Sequence, residues 1–166
     1  MFIFRKSFMK PFSNILLTFA VMTFATYAQA QNIEVSNAWI RSTVLGQKGT
    51  GAYMKIIARD GAVLVGVSSP VAGVSEMHEM KMEGDVMKMR ALPSLDLPAG
   101  KAVELRPGGY HFMLMDLKQT LAKDTKVSLI LIFKDAKGAE SKMTLKVPVS
   151  MVAPDGMTGK MPAHKH

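Results

Sequence analysis

The sequence predicts an all-β domain, an antiparallel sandwich or barrel of Greek-key type. Three observations carry that expectation. Short apolar-rich segments recur between turn signals rich in Gly, Pro and Asp. One segment is apolar on both of its alternating faces, with Val127, Leu129, Leu131 and Phe133 on one and Ile130 and Ile132 on the other, which marks a central strand. No long helical period, internal repeat or domain linker interrupts the pattern.

The first thirty residues read as an export signal. Arg5, Lys6 and Lys10 form a positive opening, Ile15 to Ala25 an apolar stretch too short to span a bilayer comfortably, and Ala28-Gln29-Ala30 a small-residue cleavage site before Gln31. No cysteine follows, so lipid attachment there is excluded. The expected product is a periplasmic chain without stable membrane insertion, its domain spanning 31–150. Candidate strands are Glu34–Arg41, Gly51–Ala58, Ala62–Ser68, Val74–Met82, Val86–Ala91, Ala102–Leu105, Tyr110–Leu117, Lys126–Phe133 and Ser141–Val147. Turns are expected at Leu45-Gly46, Arg59-Asp60-Gly61, Glu83-Gly84-Asp85, Pro98-Ala99-Gly100, Pro107-Gly108-Gly109 and Ala136-Lys137-Gly138. Residues 151–166 read as a flexible tail, broken by Pro154, Gly156, Gly159 and Pro162.

The formal charge is +8, from 21 Lys and Arg against 13 Asp and Glu. Three of those cations and none of the acids lie in the signal, which leaves +5 for the mature chain. A mild excess of this size fits a solvated surface better than steering toward an acidic partner or the anionic membrane surface, and no nucleic-acid partner is expected. Asp85, Asp96 and Asp116 form no acid/base pair, no serine lies in a nucleophile elbow, and no Gly-rich loop has phosphate-binding form. The chain is not expected to be an enzyme.

The chemistry lies in sulfur and imidazole. The sequence has no cysteine, fifteen methionines and four histidines. Thioether sulfur is a soft, neutral ligand suited to Cu(I), and imidazole also binds copper. Without thiolate the chain cannot build a CuA or blue-copper centre, which argues against an electron-transfer role. Strand alternation puts His111, Met113 and Met115 on one face, opposite Phe112 and Leu114. His78, Met80 and Met82 share a face of their strand, and Met87 and Met89 share one of the next. A Glu83-Gly84 turn sets His78 opposite Met89. A Gly84-Asp85 turn sets Met80 opposite Met89 and leaves His78 diagonal to it. The candidate ligands are therefore His78, Met89, His111 and Met113. Met54, Met143 and Met151 read as core filling, and Trp39 as a core anchor. Met157, Met161, His164 and His166 offer a second, tail-borne set suited to loose Cu(II) binding.

The spacing completes a pattern. His78 is followed after ten residues by Met89, after twenty-one more by His111, and then by Met113 in His-x-Met. Ala38-Trp39-Ile40-Arg41, Gly51-Ala52-Tyr53-Met54, Ser69-Pro70-Val71-Ala72 and Pro107-Gly108-Gly109-Tyr110-His111-Phe112-Met113-Leu114-Met115 accompany it. In these features the chain resembles the periplasmic copper chaperones called PCu(A)C, from about Ile33 to Val149. The resemblance implies a cupredoxin-like β-barrel and one Cu(I) held by the four motif residues. It also implies delivery to the CuA centre of cytochrome c oxidase subunit II. Some members place a methionine directly after the first histidine; this chain has Glu79 there, which leaves a fifth ligand at that position unsupported. The chain is expected to be a monomer. Copper storage or detoxification is the alternative, motivated by the methionine excess, and a metal-free adhesion module is a further one.

Overall fold

The structure is a computed structural model and describes residues 32–154. The signal and the tail histidines and methionines read from the sequence lie outside the described residues. Ten strands run in order: β1 (Ile33–Arg41), β2 (Gly49–Ala58), β3 (Ala62–Ser68), β4 (Ala72–Glu83), β5 (Val86–Leu92), β6 (Leu95–Leu97), β7 (Ala102–Leu105), β8 (Tyr110–Leu117), β9 (Lys126–Lys134) and β10 (Glu140–Ser150). Nine of them fall on the segments expected from sequence, with ends shifted by up to three residues. The tenth, β6, is a three-residue edge between Pro93 and Pro98 that is too short to show a period.

The strands follow the order β5-β4-β8-β7-β2-β1-β10-β9-β3-β6, with β8 also paired to β2. Two sheets share this order, β5 to β1 and β10 to β6. They join where β1 meets β10 in parallel at Ile40–Val149 and Arg41–Ser150. β7 and β8 also pair in parallel; the remaining ladders are antiparallel, as expected. β9 is central between β10 and β3. The core fills the space between the sheets: Ile40, Ala52, Met54, Ile56, Phe112 and Leu114 meet Leu64, Leu129, Leu131, Phe133, Val147 and Val149. Burial of this apolar surface is the main favourable term in folding.

One sequence expectation is corrected here, and a second is refined. Met151 is 68% exposed and fills no core; it lies just past the end of β10, where the ladder no longer holds it inward. Trp39 is buried, 1% exposed, as expected of a core anchor, but it anchors a second, smaller core cluster with Tyr53. The cause is a bulge in β1. Asn37 adopts a left-handed φ of 52° and the register with β2 shifts between Ser36 and Trp39. One extra residue reverses which alternating side chains face inward. Ile33 and Val35 pack on the core before the bulge and Ile40 after it, so Trp39 turns to the outer face.

Candidate metal centre

The outer face of the β5-β4-β8-β2-β1 sheet carries the candidate ligands. Alternation on β8 sends Phe112 and Leu114 into the core, both 0% exposed, and turns His111 and Met113 outward. β4 packs alongside β8 with His78 directly opposite His111. Their rings meet edge to face with centroids 5.8 Å apart, and each residue is 7% exposed. The two histidines, thirty-three positions apart in sequence, thus form one buried pair.

A wall of aromatic rings closes one side. Tyr53 lies 6.4 Å from His111 between ring centroids, and Trp39 lies 4.7 Å from Tyr53. The Arg41 guanidinium stands 5.8 Å from the Tyr53 ring centre, within cation–π range. Burial raises the Tyr53 hydroxyl pKa, an effect that Arg41 partly opposes. The floor beside this wall is glycine. A Cβ at Gly51 would lie 2.3 Å from the Tyr53 hydroxyl oxygen, so the ring crosses the sheet only because Gly51 has no side chain. The Met113 methyl reaches over the neighbouring Gly49, 3.6 Å from where its Cβ would be.

Hydrogen bonds set which nitrogens are free. A carbonyl oxygen can only accept, so the 3.0 Å contact from His111 Nδ1 to the Gly109 oxygen places the proton on Nδ1 and the lone pair on Nε2. Burial lowers the His111 pKa below its ordinary 6.5; the Gly109 bond opposes this and the neighbouring His78 adds to it. The ring is therefore neutral at neutral pH. His78 Nε2 lies 2.8 Å from Glu76 Oε2. An ionised carboxylate accepts that proton, and the neutral ring then carries its lone pair on Nδ1. That atom is buried without a hydrogen-bond partner among the described residues. Such orphans are uncommon in proteins, and among the described residues Trp39 Nε1 is the other one.

The methionines complete the face. Met113 stands opposite Glu76 on β4, and Met89 stands opposite Met80 on the β4–β5 hairpin. The hairpin turns at Gly84-Asp85, with Glu83 paired to Val86 and Gly84 at φ 63°. Of the two registers considered, this is the one that leaves His78 diagonal to Met89. His78, His111, Met113 and Met89 share one sheet face, but the two methionines flank His78 on opposite sides. On a flat sheet their Cα atoms would be about 17 Å apart, from two strand spacings and four residues of rise. One ion can touch both only if the hairpin curls over the histidine pair. The residue that sequence reading missed is Glu76. Its signal was available, since a residue two before His78 shares its face.

Comparison with known proteins agrees with this architecture. The domain has the fold of PCuAC domains. It aligns with the solution structure of apo-DR1885 from Deinococcus radiodurans at 23% identity and a TM-score of 0.54, covering 91% of this chain and 98% of that one. It aligns with the copper-bound PCuAC domain from PmoF2 at 21% identity and a TM-score of 0.55, covering 72% and 96%. The family described as "Putative lipoprotein LpqE-like" matches residues 33–149, and the chain belongs to it. A curated relative, "Putative lipoprotein Lxx21020" of Leifsonia xyli subsp. xyli, is 33% identical over 122 residues, 73% of this chain and 71% of its own length. The present sequence contains no cysteine to carry a thioether-linked lipid.

Proposed function

We propose that this protein is an exported Cu(I) carrier. His78, His111, Met113 and Met89 take one Cu(I), and a partner's thiolates remove it by ligand exchange. The observation that carries this reading is the buried His78–His111 pair, with one lone pair left free on each ring and thioethers on the same face. Two neutral imidazoles and two thioethers form a neutral, soft donor set, which favours a monovalent d¹⁰ ion over Zn(II). Copper binding in this reading closes the β4–β5 hairpin over the pair, bringing Met89 to the ion. The proposed acceptor is the CuA centre of cytochrome c oxidase subunit II, whose thiolates lie further down the affinity gradient. The copper-bound structures of PmoF2 and of CuI-DR1885, which share the fold, support this cargo.

The test is a competition titration against a chromophoric Cu(I) chelator under anaerobic, reducing conditions. His111→Ala is expected to weaken Cu(I) binding more than tenfold, and unchanged affinity refutes the assignment. Storage is the second reading, favoured by the exposed methionines of the hairpin. It predicts that Cu(I)-loaded protein keeps its metal when mixed with an apo CuA domain; the carrier reading predicts that the metal moves.

A further inference from the structure

The β4–β5 hairpin has two unlike faces. On one, Met80 stands directly opposite Met89 and Met82 directly opposite Met87, so four thioethers occupy two adjacent cross-strand pairs. On the other, Glu79 faces Arg90, Lys81 faces Lys88, and Glu83 binds both Lys88, at 2.7 Å, and Arg90. Beyond Glu79 the hairpin extends past the end of β8. Its outer methionines therefore have no core to fill: Met82 is 55% exposed, Met87 45% and Met89 50%, while Met80, nearest β8, is half-buried. Ordinary strand surfaces favour β-branched and aromatic side chains. Here every position of the apolar face beyond His78 and Ala91 is an unbranched thioether.

We infer that Met80, Met82, Met87 and Met89 form a second Cu(I) site, made of sulfur alone, at the exposed tip of the hairpin. Directly opposed Cβ atoms are about 5 Å apart, and successive pairs are about 7 Å apart along the strand. Four long, flexible side chains can bring their sulfurs together over a patch of that size. Thioether-only coordination is neutral and soft, which selects Cu(I) or Ag(I) and rejects hard divalent ions. The cations are on the reverse face and two are tied to Glu83, so they do not oppose a bound cation. Met89 belongs both to this ladder and to the set proposed around the histidines; when both sites are filled, Met80, Met82 and Met87 hold the tip ion in three-coordinate geometry and Met89 serves the histidine site. An ion captured at the tip is thus one ligand exchange away from His78, with no change of oxidation state. The transfer role rests on the proposed histidine site; the tip site itself does not.

The test counts Cu(I) bound by the purified protein and follows its methionine methyl NMR signals. The variant Met80→Leu/Met82→Leu/Met87→Leu keeps Met89 and the apolar surface, and should bind one Cu(I) fewer than the parent. The variant His78→Ala/His111→Ala should still shift the Met80, Met82 and Met87 methyl signals when Cu(I) is added. Unchanged stoichiometry in the leucine variant, or methyl signals that do not respond, overturns the proposal. Divalent zinc shifting the same signals equally would also overturn it, as would a patch that only docks other proteins and leaves these signals still. If the histidine variant loses no copper while the leucine variant does, the histidine-site reading fails and the tip site stands.

Discussion

Gly51 links packing to the candidate site, and Gly51→Ala tests that link. The new Cβ would lie 2.3 Å from the Tyr53 hydroxyl oxygen, 2.7 Å from Cζ and 3.1 Å from Cε2. The ring has little room to retreat. Trp39 stacks against it at 4.7 Å, Arg41 covers it, and the residue is only 6% exposed. Overpacking of this kind costs about 1–3 kcal/mol. For a domain of this size that corresponds to a Tm about 4–12 °C lower. The measurement is a thermal melt followed by near-UV circular dichroism, which reports the Trp39–Tyr53 pair directly. In a Tyr53→Leu background the same alanine should cost less than about 0.5 kcal/mol, because the group it strikes is gone. Gly100→Ala is the control. Its φ of 67° strains the new residue, but nothing lies within 4 Å of the added carbon, so its cost should not depend on Tyr53. A Gly51→Ala protein that melts with the parent, or pays the same cost with and without Tyr53, would refute the packing described. Cu(I) affinity should fall as well, since the displaced ring moves among His111 and Met113.

Other outcomes follow from particular contacts. Thr43 Oγ1 accepts the Leu121 N–H at 2.8 Å in a buried setting; Thr43→Val keeps the shape, orphans the donor and should cost about 1–3 kcal/mol in urea unfolding. His111 has a lowered pKa when folded, so the unfolded chain binds its proton first on acidification. Stability of the metal-free protein should therefore fall as pH drops below about 6.5, the loss should end below the folded pKa, and His111→Gln should remove that part of the slope. Glu76→Gln removes the anionic acceptor from His78 Nε2. It should weaken Cu(I) binding about tenfold or more while leaving the melting temperature nearly unchanged, and ¹⁵N shifts of His78 should show a less fixed tautomer.

Much of the fold could be read from the chain because its strands end where Gly, Pro and Asp force turns. Glu83-Gly84-Asp85 announced a hairpin, yet two registers fitted the letters. The structure selects Gly84-Asp85, with a positive φ at the glycine. The β1 bulge was not legible. Nothing local at Asn37 says that one residue will be absorbed there, and that residue decides whether Trp39 or Ile40 faces the core. The parallel joint between β1 and β10 is likewise a long-range pairing with no local mark. The candidate site was half legible. Alternation placed His111 with Met113, and His78 with Met80. The adjacency of β4 and β8, which brings the two histidines ring to ring, depends on topology. Met151 looked like core by composition; its exposure follows from where β10 ends.

The central claim is that one cuprous ion is shared by two imidazole nitrogens and two thioether sulfurs. X-ray absorption on the Met80→Leu/Met82→Leu/Met87→Leu protein loaded with a single equivalent of Cu(I) tests it most directly, because the hairpin tip is then silent. The account predicts a first shell of mixed nitrogen and sulfur that loses sulfur in Met113→Leu and nitrogen in His78→Ala. A shell of nitrogen and oxygen alone, indifferent to both substitutions, would contradict it.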